Sequence, residues 1–230
     1  MEHARISIII PVKNERFLSK ALNDLCAIFK NDPIEMIVVD TSTLSEQTLP
    51  ADVLYYHQPK LKFRSSAMNF GAQKAQTPIL WFLHLDCRPT KLAWRTFSAL
   101  CSQGNLVFGA FQKEYEPTNY FLIFQQAILN FVASKYSSLI FGTNAIFVNR
   151  SIFFEMGGYS DWPIFEDTDF IKRIRKVYPL HFIHSKIVVS SRKYQSWFGI
   201  KQTALNLALL ILYAFGFPLK RMANWYQKRT

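Results

Sequence analysis

Short apolar runs alternate with amphipathic segments through the first 90 residues. Residues 6–12 are almost wholly apolar, a pattern typical of a strand buried on both faces. The apolar positions Leu18, Leu22 and Leu25 then recur at helical spacing. The order predicts an α/β fold with a mostly parallel sheet. The predicted strands cover residues 6–12, 36–39, 53–56 and 79–85, and the predicted helices cover residues 18–29 and 65–75.

The chain continues this alternation up to residue 191. No internal repeat or interdomain linker is visible in the sequence. We therefore predict one α/β domain over residues 1–196, followed by a helical extension over residues 197–230. Within the first of these, the pattern predicts helices over residues 91–100, 121–136, 151–156 and 166–176, and strands over residues 106–111, 140–148 and 181–189.

Residues 204–217 form a nearly continuous apolar segment, which Pro218 ends. A membrane-spanning helix needs roughly 20 apolar residues, so this segment is too short to cross a bilayer comfortably. Lys201, Lys220 and Arg221 flank it, with aromatic residues nearby. Such flanks suit a helix that lies in the membrane interface. A helix packed on the sheet or on a partner subunit is an equal alternative.

The formal net charge of +11 arises after Asp169. Of the 27 Lys and Arg residues, 12 follow Asp169, and no Asp or Glu does. This asymmetry predicts an appended surface for anionic lipid or nucleic acid, or a solvated charged face. Nucleic acid is the weaker candidate, because the basic residues surround an apolar helix instead of forming a stripe.

Composition and cysteine usage narrow the class of protein. With 50% hydrophobic residues and only 8 Gly and 10 Pro, the chain is neither collagen-like nor disordered. Three scattered cysteines without a CxxC motif indicate reduced thiols. The apolar run over residues 6–12 has no cleavage site of small residues, so it is not a convincing signal peptide. We expect a cytoplasmic protein, peripheral at the inner face of the cell membrane.

Polar residues follow three of the predicted strands. Lys13, Asn14 and Glu15 come after the first strand, Asp40 ends the second, and Asp86 follows the apolar segment WFLHL. In parallel sheets, ligands bind beyond the carboxyl ends of the strands. We therefore expect these side chains to converge on one crevice.

Two carboxylate groups are candidates for chemistry. Glu166, Asp167 and Asp169 begin a predicted helix, where acidic residues also stabilise the first turn through the helix dipole. His84 and Asp86 lie two residues apart in a predicted strand and therefore on one face. An imidazole and a carboxylate can hold a divalent cation. Taken alone, a core histidine beside a turn-capping aspartate explains that pair better.

Several common catalytic motifs are absent from the sequence. No GxGxxG follows a strand, which removes support for a dinucleotide fold. The P-loop pattern GxxxxGK[ST] is missing, as are GxSxG and HExxH. P-loop hydrolases, serine hydrolases and zincins therefore lose their main signals.

Five segments together resemble a known family. They are ISIIIPVKNE, IVVDTST, the stretch from Arg64 to Asn69-Phe-Gly71, WFLHLDCRP and FGTNAIFVNRSIFFEMGGYSDWPIFEDTDF. In this order they resemble family 2 glycosyltransferases with the GT-A fold. The tail is similar to that of a small, single-domain bacterial subgroup, so the resemblance covers nearly the whole chain.

The resemblance implies an inverting sugar transfer from a nucleotide-diphosphate donor, assisted by a divalent metal, Mn²⁺ or Mg²⁺. By position, Asp86 matches the last acid of the metal-binding DxD motif. Asp167 matches the general base, and Glu166 precedes it in the late ED motif. The positions matched to the nucleoside and the diphosphate are Pro11, Lys13, Asn14, Glu15, Asp40, Arg64, Asn69 and Arg192.

The first acid of DxD is His84 here, which leaves the expected metal site one carboxylate short. The subgroup often carries HxD, and a donor diphosphate brings metal ligands of its own. Two other functions stay open. One is a nucleotidyltransferase or a related nucleotide-diphosphate enzyme, and the other is a catalytically silent GT-A domain that binds at membranes. The sequence does not identify the acceptor, for which a lipid-linked molecule is one expectation.

Overall fold

The computed structural model describes residues 6–30, 32–44, 49–104, 106–136, 140–191 and 197–227. The described residues form eight strands, eight helices and one short 3₁₀ helix, Gly142–Asn144. The strands are β1 Ile6–Val12, β2 Ile34–Asp40, β3 Val53–His57, β4 Ile79–Phe82, β5 Cys87–Pro89, β6 Phe108–Glu116, β7 Phe147–Asn149 and β8 His181–Ser190. The helices are α1 Leu18–Ile28, α2 Arg64–Lys74, α3 Lys91–Ser102, α4 Tyr120–Tyr136, α5 Arg150–Glu155, α6 Glu166–Ile174, α7 Trp197–Ala214 and α8 Leu219–Gln227.

All the described strands belong to one sheet, in the order β3-β2-β1-β4-β7-β6-β8-β5. Strands β1 to β4 run parallel to one another, and β6 runs parallel to β8. Strands β7 and β5 are antiparallel to their neighbours. The α/β class and the mostly parallel sheet are therefore confirmed.

Side chains of β1 alternate between two apolar cores, as the period of two in a strand requires. Ile8 and Ile10 pack in the core cluster that contains Leu22 of α1. Ile9 packs in the opposite cluster, with Ala72 of α2. All five side chains are fully buried, so helices cover both faces of the parallel strands. This burial on both faces explains why the sequence of β1 is continuously apolar.

Two sequence predictions were wrong in detail. Residues 140–148 are not one strand, because the 3₁₀ helix precedes the short strand β7. The Asn144 side chain donates to the carbonyl of Phe111 and accepts from the amide of Phe141, which stabilises this turn. Strand β4 ends at Phe82, and a turn closed by the Cys87 amide on the His84 carbonyl follows it. Strand β5 and helix α8 were missed because both are short.

Helix α7 has one packed side and one exposed side. On the packed side, Leu209 shares an apolar cluster with Phe165 and with Met222 of α8. On the other side, Leu207 and Ile211 are exposed. The helix therefore packs through one side, and its placement in a membrane interface stays a prediction. Within the described ranges, no helix is long and apolar enough to cross a membrane.

Candidate active site

The carboxyl ends of β1 and β2 enclose a cleft of about 240 Å³. Asn14, Glu15, Asp40 and Ser42 line it. The sequence predicted one crevice for the residues after β1, Asp40 and Asp86. Asn14, Glu15 and Asp40 line this cleft, whereas Lys13 and Asp86 do not. Of the other residues predicted for this region, Pro11 is half-buried within β1 and Lys13 is exposed in the following loop.

Asp40 is buried and organises this cleft through neutral donors. Its Oδ1 accepts from the Ser42 amide at 2.8 Å, and its Oδ2 accepts from the Tyr55 hydroxyl at 2.6 Å. The Ser42 hydroxyl oxygen in turn accepts from the Asn14 amide at 2.6 Å. Asn14 has a φ of 54°, a left-handed conformation that asparagine tolerates better than most residues. The network therefore ties the end of β2 to the loop after β1.

A second group of residues surrounds Arg64, the first residue of α2. Arg64 donates from Nε and Nη2 to Oε1 of Glu166, both at 2.6 Å, and its Nη2 lies 3.8 Å from Oδ2 of Asp167. Both carboxylates are buried, whereas the Arg64 side chain is 45% exposed. One half-exposed cation therefore pairs with two buried acids, and it is open to an anionic ligand.

These charges change one another's proton affinity. Burial raises the pKa of Glu166, the charge of Arg64 opposes that rise, and the charge of Asp167 adds to it. Desolvation lowers the pKa of Arg64, but the charges of Glu166 and Asp167 outweigh it and raise that pKa above its ordinary value. The pKa values of these groups therefore depend on the charges next to them, and a charged ligand that binds there would change them.

Gly142 brings Asp167 and His84 to the same place. Its amide donates to Oδ2 of Asp167 at 2.6 Å, and Oδ1 accepts from the Thr168 amide at 2.7 Å. A Cβ on residue 142 would lie 2.1 Å from Nε2 of His84, so the close approach of the imidazole requires glycine here. This FGTN segment belongs to the stretch that resembles the family, but none of its residues was predicted as a site residue.

His84 and Asp86 do not share a strand face, because β4 ends before them. Nδ1 of His84 lies 3.4 Å from Nη1 of Arg64. Asp86 is exposed, and its Oδ1 accepts from the Cys87 thiol at 3.4 Å. Among the described residues, no three His, Cys, Asp or Glu side chains gather closely enough to hold a metal. This donor set fits a divalent cation only if a ligand such as a diphosphate completes the coordination shell.

Lys113 of β6 is a site residue that the sequence prediction missed. Its side chain is buried, with Nζ 5.4 Å from the ring centre of Phe141. Burial lowers the pKa of Lys113 to about 8, while the negative charge of Asp167 acts to raise it. The alternation along β6 could have revealed it, because Lys113 lies on the same face as the buried Phe111 and Tyr115.

Of three other candidate residues, two make hydrogen bonds that connect segments of the fold, and one lies outside the described residues. Asn69 donates to the Tyr159 carbonyl at 2.8 Å and accepts from the Tyr159 amide at 2.9 Å, which ties α2 to that segment. Asp169 accepts from Ser160 at 2.7 Å and from Nε of Arg173 at 2.9 Å. Arg192 lies outside the described residues.

The C-terminal helices contact the residue just before the acidic pair. Phe165 has a φ of 65°, a rare conformation for a bulky side chain. Its ring packs against Tyr213 of α7 at 4.7 Å, and Lys172 of α6 lies over the same tyrosine ring at 4.3 Å. Packing by α7 and α8 therefore supports the turn that presents Glu166 and Asp167.

Comparison with known proteins gives one family. The family model described as "Glycosyl transferase family 2" matches residues 7–160. No curated protein matches the chain in sequence.

Several solved structures share the fold. The mannosyltransferase PcManGT from Pyrobaculum calidifontis, in complex with GDP-Man and Mn²⁺, has a TM-score of 0.65 and 18% identity over 94% of this chain and 65% of that one. S. aureus TarS has a TM-score of 0.58 and 13% identity over 90% of this chain and 40% of that one. TarS residues 1–349 with UDP-GlcNAc have a TM-score of 0.59 and 13% identity over 82% of this chain and 59% of that one. The chain thus spans less than two thirds of the length of each.

Proposed function

The chain belongs to glycosyltransferase family 2, and from this premise we propose that it transfers a sugar from a nucleotide-diphosphate donor to an acceptor hydroxyl, with inversion at the sugar carbon. The observation that carries the proposal is the pairing of half-exposed Arg64 with buried Glu166 and Asp167. A cation open to a phosphate, beside a carboxylate that can take a proton, supplies both groups that such a displacement needs. The GT-A fold shared with PcManGT supports the same assignment.

The donor nucleoside is proposed to bind in the cleft at the ends of β1 and β2. Asn14, Glu15, Asp40 and Ser42 line that cleft, so they are the residues within reach of a base or a ribose. The hydrogen bonds of Asp40 and Ser42 tie the end of β2 to Tyr55 of β3 and to Asn14 in the loop after β1. We therefore assign Asp40 mainly to fixing the shape of the cleft. Pro11, near the end of β1, and Lys13, in the loop after it, are proposed to flank the nucleoside.

Arg64 is proposed to leave part of its contact with Glu166 and meet the donor diphosphate, joined there by Arg192. Asp86, with His84, would hold a divalent cation whose other ligands are phosphate oxygens, and PcManGT carries Mn²⁺ with its donor. When bound, such a cation stabilises the charge that develops on the leaving phosphate. Asn69 acts indirectly in this scheme, because its bonds to Tyr159 fix α2 and hence Arg64.

Asp167 is proposed as the general base. The acceptor oxygen forms a bond to the sugar carbon as the bond to the phosphate oxygen breaks. The acceptor proton passes to Asp167, and the electron pair leaves with the nucleoside diphosphate. The Gly142 amide on Oδ2 fixes the carboxylate, and Glu166 keeps the opposite side of Arg64 in place. Lys113, buried beside this pair, adds positive charge that offsets the two acids.

The acceptor is proposed to be lipid-linked or close to a membrane, with the enzyme peripheral at the inner face of the cell membrane. Helix α7 supports this proposal. It packs on Phe165 with one side and exposes Leu207 and Ile211 on the other. Lys201 lies on the exposed side of the same helix, where it can meet anionic lipid.

A thermal-shift screen tests the function. Nucleoside diphosphates are offered with Mn²⁺, with Mg²⁺ or with EDTA, because a ligand that binds the folded state raises the melting temperature. We expect one nucleotide to stabilise the chain, with a metal-dependent part that Asp86→Ala removes and His84→Ala reduces less. Asp52→Ala, which changes another exposed carboxylate, is the matched control.

The same screen separates the proposed function from its alternatives. A shift in the screen, followed by release of the sugar from the corresponding donor, supports the transferase. Binding without release of sugar under any metal condition would point to a silent binding module. The absence of any shift would contradict nucleotide recognition itself.

A further inference from the structure

Helix α4 exposes a broad apolar face. At 100° per residue, the exposed positions span about 160° of the helix circumference. Solvent-facing helix surfaces of this width ordinarily carry polar side chains. The face therefore suits an apolar environment. Its large members are Tyr120, Phe121, Ile123, Phe124, Ile128 and Phe131, of which Phe124 is 66% and Phe131 61% exposed.

The opposite side of α4 is buried and anchored to β6. Asn130 is buried, accepts from the amide of Lys113 at 3.1 Å and donates to the Lys113 carbonyl at 2.8 Å. The Tyr115 amide donates to Gln126 of the same helix at 2.8 Å. The helix is thus fixed to β6, the strand that carries Lys113, and its orientation leaves the apolar face outward.

A hydrogen bond links α4 to α7. Gln125 of α4 donates to the Thr203 hydroxyl of α7 at 3.2 Å. Gln125 follows Phe124, and Thr203 lies one turn before Leu207, so this bond joins the margins of the two exposed faces. Phe124, Phe131 and the other exposed side chains of α4, together with Leu207 and Ile211 of α7, make up what we name the α4–α7 apolar surface.

The helices around this surface carry charges of one sign. No Asp or Glu occurs between Glu116 and Glu155 or after Asp169, so α4, α7 and α8 carry no carboxylate side chain. The exposed cations Lys135, Lys201, Lys220 and Arg221 belong to these helices. Basic residues close to an anionic bilayer are attracted to it. An apolar surface with cations and without acids is complementary to a membrane containing anionic lipid.

We propose that the α4–α7 apolar surface inserts into the interface of a bilayer that contains anionic lipid, with α4 as the main contact. This inference rests on the proposed membrane location, which it extends from α7 to α4. The buried side of α4 holds the strand of Lys113, so docking through the outer side places the candidate active site directly behind the membrane contact.

Co-sedimentation of the full chain with vesicles tests the proposal. Vesicles of phosphatidylcholine alone are compared with vesicles that also contain phosphatidylglycerol, at low salt and at high salt. The chain is expected to bind the anionic vesicles and to bind them less tightly in salt. Phe124→Ser/Phe131→Ser should weaken binding about tenfold or more, since burial of a large apolar side chain contributes at least 1 kcal/mol. Leu92→Ser/Phe17→Ser, at sites 67% and 70% exposed on α3 and before α1, should bind like the wild type.

Three other outcomes would each contradict a part of the proposal. If Leu207→Ser/Ile211→Ser loses binding and the α4 variant does not, the role of α4 is wrong and the membrane location stands. If the wild type binds no vesicle, both are wrong. A dimer in solution that the α4 variant dissociates, without vesicle binding, would show that a second copy covers the surface. Nucleotide binding by the α4 variant in the thermal-shift assay is expected to be unchanged, which separates this test from the proposed chemistry.

Discussion

The two groups of residues at the carboxyl edge of the sheet hold their carboxylates in different ways. Asp40 accepts hydrogen bonds from neutral donors, the Ser42 amide and the Tyr55 hydroxyl. Glu166 instead pairs with the Arg64 guanidinium. Asp167 accepts from two backbone amides and in addition lies 3.8 Å from the same cation. Neutral donors fix a carboxylate whatever the charge nearby. An ion pair changes when another anion competes for its cation.

This difference suits the Asp40 group to shaping a binding cleft and the group around Arg64 to the chemical step. The Asp40 group fixes the shape of a cleft and has little charge to rearrange. The group around Arg64 holds buried charges whose balance a diphosphate would alter. Changes in the charged group should therefore have large, pH-dependent effects, and changes in the Asp40 group should have small effects that are independent of pH near neutrality.

The largest effect is expected at Lys113. Its pKa is lowered to about 8 by burial, so the folded protein releases this proton at a lower pH than the unfolded chain does. Stability therefore rises with pH between about 8 and the ordinary lysine pKa of about 10.4. Relative to that of Lys113→Met, the free energy of unfolding of the wild type should rise by about 3 kcal/mol over that pH range, at about 1.4 kcal/mol per pKa unit.

Denaturant unfolding of both proteins at several pH values measures this difference. Lys74→Met is the control, because Lys74 is exposed and also lies near aromatic rings. A constant difference between the wild type and Lys113→Met from pH 7 to 10.5 would contradict a charged, buried Lys113.

A smaller effect, a decrease in the free energy of unfolding, is expected for Arg64→Ala. Without the guanidinium, the pKa of Glu166 should rise further, because burial already raises it and Arg64 opposes that rise. A raised carboxyl pKa makes the folded state less stable as pH increases. The variant should lose about 2 kcal/mol at pH 8 and clearly less at pH 5.

Arg88→Ala is the matched control for Arg64. Arg88 pairs with Glu116 at 3.0 Å, but both side chains are more than half exposed, so its loss should cost less than about 1 kcal/mol. Equal destabilisation of Arg64→Ala at pH 5 and pH 8 would argue against an ionised Glu166 as its partner.

The smallest effect is expected at Tyr55. Tyr55→Phe removes the hydroxyl that donates to the Asp40 carboxylate, a part-buried bond worth about 1.5 kcal/mol. The loss should not vary between pH 6 and pH 8. Tyr56→Phe, at a neighbouring position whose ring packs against Phe70, is the control. A loss of several kcal/mol, or one that changes with pH, would erase the contrast between the two groups.

The sequence could predict the Asp40 group because local pattern determines it. A continuous apolar run specifies β1, and the polar residues directly after β1 and β2 must then meet at one edge of a parallel sheet. The resemblance also named Arg64, Glu166 and Asp167, and the structure brings Arg64 into contact with both acids. Their roles in the reaction stay proposals.

The remaining site residues depend on contacts between distant segments. Gly142 acts through its amide and its missing Cβ, neither of which local pattern can signal. The spacing of His84 and Asp86 suggested a shared strand face, but β4 ends at Phe82 and a turn follows. Lys113 was missed because a lysine is usually exposed, and only the alternation of β6 places it on the buried face with Phe111. The division into residues 1–196 and 197–230 stays a prediction.

The most direct test of the central claim measures donor binding and sugar transfer for Asp167→Asn in parallel. Asparagine keeps the shape of the side chain and removes the base, so transfer should fall by about 10²-fold or more while donor affinity stays near that of the wild type. Asp169→Asn, a change in the same helical turn at a residue bonded to Ser160 and Arg173, should keep transfer within a few fold. Near wild-type turnover by Asp167→Asn would contradict the account.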